Sequence, residues 1–98
     1  MAFQSGSLFT SATAGGIVGP FPNATKYTIT LDGTSGPFSG TVAFQAFNSG
    51  GGAVTIQSFA LATSNGEASF TGPFPYGVRF NCTAFTSGSA TCNVFIGD

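Results

Sequence analysis

Short runs of alternating apolar and polar residues, each closed by Gly, Pro, Asn or Ser, follow one another through most of the chain. In Lys26 to Asp32 the side chains of Tyr27, Ile29 and Leu31 share one face of an extended segment, and in Thr41 to Phe47 Val42, Phe44 and Ala46 do the same. Val78, Phe80, Cys82 and Ala84, then Ala90, Cys92, Val94 and Ile96, repeat the two-residue period near the C-terminus. No window has apolar residues at helical spacing without a Gly, Pro or β-branched interruption, so almost no helix is predicted. The pattern predicts an all-β protein: a small antiparallel β-sandwich or open barrel of about six strands with two related hairpins.

The relation between the hairpins comes from an internal repeat with an offset of 53 residues. Gly19-Pro20-Phe21-Pro22 recurs as Gly72-Pro73-Phe74-Pro75, and Lys26-Tyr27-x-x-Thr30 is echoed by Arg79-Phe80-x-x-Thr83. Proline lacks a backbone donor and pushes the preceding residue to extended geometry, so each Gly-Pro-Phe-Pro reads as a stiff lead-in to a strand. It either simply turns the chain or presents Phe21 and Phe74 as equivalent exposed contacts. With Thr86-Ser87-Gly88 as a three-residue loop, the second hairpin sets Phe85 against Ser89, Cys82 against Cys92, Phe80 against Val94, and Val78 against Ile96. Its other face sets Arg79 against Phe95, a candidate contact surface. The first hairpin pairs residues 26–32 with 41–47 through a loop holding Gly33, the third Gly-Pro-Phe at Gly36 to Phe38, and Gly40. Between them Asn65-Gly66, a strong hairpin signal, places Leu61 opposite Phe70. Residues 1–18, rich in Ala, Ser, Thr and Gly with Phe3 and Phe9 as apolar anchors, read as an N-terminal arm or partly extended segment, and residues 19–98 as a single β domain.

Charge changes this picture from a fold to a way of life. Of 98 residues only five are charged, Lys26, Arg79, Asp32, Glu67 and Asp98, whereas an ordinary soluble domain carries about 25%. A net charge of -1 gives little repulsion between copies, and twelve Phe residues are more than a domain this small readily hides. Both favour association. Two cations cannot neutralise the phosphates of a nucleic acid, which excludes that partner class. No stretch has the length of a membrane helix, and no basic segment precedes an apolar run at Met1, so neither a membrane nor classical secretion by a signal peptide is expected.

Candidate chemistry is sparse. Without histidine, base catalysis would fall to Lys26 or the carboxylates of Asp32, Glu67 and Asp98, which sit at turns or the terminus, so no catalytic residue, cofactor or metal site is expected. Two cysteines are too few for a structural zinc. Cys82 and Cys92 are a candidate cross-strand pair, either disulfide-bonded or two reduced thiols in the core. Gly50-Gly51-Gly52 has no following Lys or helix and reads as a flexible turn.

The Pro22 to Thr30 strand opening, the Gly-rich loop and alternating strand from Gly33 to Phe47, and the strand pair after Gly72-Pro73-Phe74-Pro75-Tyr76-Gly77 resemble small β-rich virion proteins of tailed bacteriophages, the capsid decoration or cement subunits and short fibre subunits. That resemblance implies a non-enzymatic virion protein made in the host cytoplasm, assembled as a homo-oligomer, a trimer first, on the major capsid protein or other virion subunits. It would stabilise the shell by multivalent binding. Candidate interface residues are Phe3, Phe9, Phe21, Phe74, Arg79 and Phe95. The alternative is a receptor- or glycan-binding fibre tip using Tyr27, Tyr76 or Asn81.

Overall fold

The structure, a computed structural model, describes residues 2–9, 16–21 and 23–97, with side chains for 16–21 and 23–96. Six strands follow in order: β1 (Ala2–Phe9), β2 (Ile17–Phe21), β3 (Ala24–Phe47), β4 (Ala53–Ala62), β5 (Asn65–Phe74) and β6 (Val78–Gly97). All pairings are antiparallel. The all-β class therefore agrees with the alternation in the sequence.

The spine is a ribbon made of the two long strands, β3 and β6, paired from Lys26↔Gly97 to Ala46↔Val78. Straight, the 24 residues of β3 would reach roughly 80 Å at ~3.3 Å each, yet the longest dimension of the molecule is 33 Å. The ribbon must fold over. It does so where Gly33, Gly36, Pro37 and Gly40 interrupt β3 and where Gly88, at φ 80°, interrupts β6, and the register slips between Asp32 and Gly40 as at a cluster of bulges. One half-sheet then runs β5, β3 (24–32), β6 (89–97), β1, and the other runs β4, β3 (39–47), β6 (78–85), β2.

The inner faces of the two half-sheets meet in an aromatic core. Phe44, from the second half-sheet, stacks on Phe70 of the first at 4.6 Å between ring centroids, and touches Tyr27 at 6.1 Å and Phe80 at 5.5 Å. Around it Ile29, Leu31, Val42, Val78, Cys82, Cys92 and Val94 are buried. Every inward position expected on 26–32, and Val42 and Phe44 on 41–47, is thus in the core.

The partners differ from expectation in three places. Thr86-Ser87-Gly88 is no hairpin loop: the chain continues as β6, so Cys82 lies opposite Val42 and Cys92 opposite Leu31, not each other, and Phe80 and Val78 pair with Phe44 and Ala46. Residues 26–32 and 41–47 are likewise one strand, not a hairpin. Asn65-Gly66 does not set Leu61 opposite Phe70; Phe70 faces Tyr27, and Leu61 faces Gly40. The turn lies earlier, at Thr63 and Ser64, where Thr63 takes φ 53° and the chain crosses from one half-sheet to the other. At Gly88 and at Thr63 a left-handed residue of the kind that can close a hairpin sits where the chain passes between layers instead. Within the segment read as an N-terminal arm or partly extended segment, β1 and the start of β2 pair with β6 in the same sheet.

The 53-residue offset extends over the whole strand set. Moved by 53, β1 falls on 55–62 within β4, β2 on 70–74 within β5, and β3 on β6. Sequence identities follow: Gln4-Ser5 matches Gln57-Ser58, Leu8 matches Leu61, and Thr10-Ser11 matches Thr63-Ser64. Among the described residues the chain is two units, each of two short strands and one long one, related by that offset and paired in equivalent ways. Within the described residues every strand ladder joins one unit to the other: β1 and β2 flank β6, β4 and β5 flank β3, and β3 pairs with β6.

Candidate contact surface

Gly-Pro-Phe ends a short strand in both units, β2 at Phe21 and β5 at Phe74, and in each its Phe packs against an aromatic ring of the other unit. Phe21 is 5% exposed and meets Phe80 edge-on at 5.9 Å; Phe74 is half-buried and meets Tyr27 edge-on at 5.2 Å. The two pairs are exact counterparts under the 53-residue offset. Phe21 and Phe74 do mark equivalent contacts, but within the fold, which corrects their reading as exposed interface residues. Edge-to-face pairs of this kind add about 0.5–1.5 kcal/mol each beyond buried area.

Arg79 and Phe95 are not neighbours, because they belong to different half-sheets: Arg79 faces Gln45, and Phe95 faces Thr28 and Phe3. Phe95 is half-buried. Phe3 and Phe9 are placed only as backbone, opposite Phe95 and Ser89, and their side chains lie outside the described residues. Asp98 also lies outside them.

Arg79 organises the outer face of the second half-sheet. Its Nε donates to Gln45 Oε1 at 2.8 Å, Gln45 Nε2 donates to Thr55 Oγ1 at 3.2 Å, and the guanidinium lies 5.4 Å from the centroid of the Phe47 ring. Gln45 is only 7% exposed although its strand neighbours Phe44 and Ala46 hold the inner face, so the arginine stem and β4 cover it. A buried amide satisfied on both ends ties β3, β4 and β6 together. Sequence reading missed Gln45; its signal was a lone long amide at an outward position of an otherwise apolar strand.

Next to this network lies one end of the sandwich. A groove of about 570 Å³ is lined by Pro20, Phe21, Asn23, Pro75 and Tyr76, and a second of about 380 Å³ by Pro20, Phe47, Asn48 and Tyr76 among others. Tyr76 is 57% exposed and shared by both. Tyr27, by contrast, is fully buried, which pushes its phenol above the ordinary tyrosine range, offset by a hydrogen bond from the Ala24 backbone. It presents nothing to a ligand. Along the same half-sheet, β4 forms an outer edge of ten residues with no charge and no proline, and Val54 and Ile56 on it are exposed.

Asp32 and the two cysteines have structural work. Asp32 Oδ1 accepts from the Thr34 hydroxyl and backbone N–H at 2.7 and 2.8 Å and from the Ser35 N–H at 3.2 Å, while Oδ2 accepts from the Ser35 hydroxyl at 2.8 Å. These donors, the Thr34 hydroxyl first, hold the carboxyl well below the usual carboxylate range and satisfy backbone groups that the bend removes from the ladder. Cys82 and Cys92 are free and buried. Burial raises both thiols, Cys92 to about 12, with Cys82 close enough to add to that rise. The two are neighbours through the core, by layer rather than by ladder. Among the described residues no group of three or more His, Cys, Asp or Glu could hold a metal ion.

Among the described residues these features define an antiparallel β-sandwich of two interlocked three-strand units, with an uncharged β4 edge and an aromatic end groove. No protein-family model matches the chain, and no match was found among curated proteins or solved structures.

Proposed function

We propose that this chain is a non-enzymatic structural subunit that works by multivalent association, as a virion decoration or cementing protein that assembles with copies of itself and binds neighbouring shell subunits. The observation that carries the reading is the β4 edge: ten uncharged residues with no second strand partner among the described residues, and Val54 and Ile56 exposed. Edges that must stay solitary are normally blunted by Lys, Pro or a covering segment. With a net charge of -1 nothing repels a like surface. Binding many copies to a shell adds buried area at subunit boundaries, and multivalency raises avidity without new contacts.

The test is co-sedimentation of the purified protein with tailed-phage shells lacking decoration, together with its mass in solution by light scattering. Saturable binding that raises the shell's melting temperature, by an oligomer of three copies, is the expected result. A dilute monomer that never sediments with shells would remove the proposal. A glycan-binding tip is a second reading, favoured by Tyr76 with Asn23 and Asn48 at the end groove, since an exposed ring beside amides suits stacking on a sugar. A glycan array without hits above background would discard it.

A further inference from the structure

The two units have no ladder of their own among the described residues, and the turn Asn48 to Gly52 is their only covalent connection. Each long strand is sandwiched between strands of the opposite unit. The aromatic contacts Phe21–Phe80, Phe74–Tyr27, Phe44–Phe70 and Phe38–Phe85 also cross between units. So do the backbone hydrogen bonds from Gly33 to Ser64, Phe47 to Gly77, Thr63 to Phe38 and Cys82 to Gly16. What a unit offers is therefore a surface whose fitting occupant is already known, namely the other unit.

We infer that a second copy of this chain can supply that occupant: two chains exchange units, the first unit of each folding onto the second unit of its partner, by opening of the Asn48 to Gly52 turn. This goes beyond the virion reading and does not rest on it. No new interface has to be made, because the exchanged pair reuses every ladder and ring contact of the closed chain. The turn is suited to opening. Phe47 pairs directly with Ala53, so opening it joins β3 to β4 in one extended run, and the turn itself contains three successive glycines. It is held by Asn48, whose side-chain oxygen accepts from the N–H groups of Gly50 and Gly52, and by Gly51 at φ 85°. The closed chain has the advantage of the tether, with an effective concentration on the order of millimolar, so exchange is a high-concentration event unless the turn is strained.

Gly51 is the clean probe, because a Cβ there would meet nothing within 4 Å, which leaves its left-handed backbone as the main cost. Each exchanged dimer releases two such turns, so Gly51→Val should raise the dimerisation constant roughly a hundredfold, about tenfold for each turn. The decisive measurement uses the full chain with a protease recognition sequence inserted between Gly50 and Gly52. Its dimer, isolated by size exclusion with light scattering, is cleaved under native conditions. In an exchanged dimer the cut severs the only links, and the particle falls to the mass of one chain while keeping its β spectrum. A dimer joined through an outer surface keeps its mass, and that result overturns the inference.

A second measurement needs no altered chain. Isotope-labelled and unlabelled wild-type protein are mixed either after separate folding or while unfolded, then refolded near millimolar concentration. Mixed dimers only after joint refolding are expected. Mixed dimers on simple mixing of folded protein, or no dimer by either route, refute the exchange. Shell binding enters neither measurement, so failure here and failure of the virion reading are separate results.

Discussion

Phe44 is where the two half-sheets are joined, and its removal tests the packing of the sandwich most directly. Its ring is fully buried and contacts those of Tyr27, Phe70 and Phe80. Phe44→Ala should cost about 3–5 kcal/mol, the usual penalty for deleting a buried aromatic and leaving a cavity. Phe44→Leu refills most of the space but forfeits three ring contacts, and about 1–3 kcal/mol is expected. A domain of 98 residues has a total stability of about 5–15 kcal/mol, so the alanine variant removes a large share of it. In urea, with a slope of about 2 kcal/mol/M, the midpoint should fall by roughly 2 M for alanine. Tyr76→Ala, at an exposed position outside the core, is the control and should stay within about 0.5 kcal/mol of wild type. If Phe44→Ala costs less than about 1 kcal/mol, no more than the control, the two half-sheets do not close on each other as described.

Three further outcomes follow from particular contacts. Arg79→Ala should cost about 1–3 kcal/mol by leaving buried Gln45 without its donor, and a double-mutant cycle with Gln45→Ala should show coupling of at least about 0.5 kcal/mol; additive costs would break the network. The raised Cys92 thiol keeps its proton in the folded chain while the unfolded chain ionises above pH 9, so stability should fall as pH rises from 9 towards 12, by up to about 1.4 kcal/mol per pH unit from this thiol, with Cys82 acting in the same direction. Urea midpoints across that range check this, and Cys92→Ala should flatten the slope. Gly88→Val should destabilise strongly, since φ 80° is unfavourable and a Cβ would collide with the carbonyl oxygens of Gly36 and Pro37; a midpoint unchanged from wild type would mean that the ribbon does not bend there.

The faces of the strands were legible in the sequence, and most of the partners were not. Alternation places Tyr27, Ile29, Leu31, Val42, Phe44, Phe80, Cys92 and Val94 inward, and all are buried. Period two says which side of a sheet a residue occupies; it says nothing about which strand lies alongside. A hairpin at Thr86-Ser87-Gly88 and a bend in a continuous strand both want glycine in the left-handed region and both keep Cys82 and Cys92 facing the core. Only the distant partners, Val42 and Leu31, separate the two. The repeat was legible at Gly-Pro-Phe-Pro, and its extension through Gln4-Ser5 and Gln57-Ser58 was a signal available for pairing β1 with β4 as equivalents. Arg79 was placed opposite Phe95 by the hairpin register, but its contacts are the amide of Gln45 and the ring of Phe47.

The same topology constrains how the chain acquires its structure. Since each ladder among the described residues joins a strand of one unit to a strand of the other, the described strands of the first unit find their partners only once residues beyond 53 are present. Chains dominated by such distant pairings fold in about milliseconds to seconds, because loop closure must precede the contacts that reward it. During that interval β3 exposes two unpaired edges and the inward faces of Tyr27, Ile29, Leu31, Val42 and Phe44. Whichever second unit arrives first can cover them, its own at an effective concentration near millimolar or one from a neighbouring chain when copies are crowded. Interlocking and a low net charge therefore act in the same direction: the first makes a unit incomplete alone, and the second leaves nothing to keep another copy away.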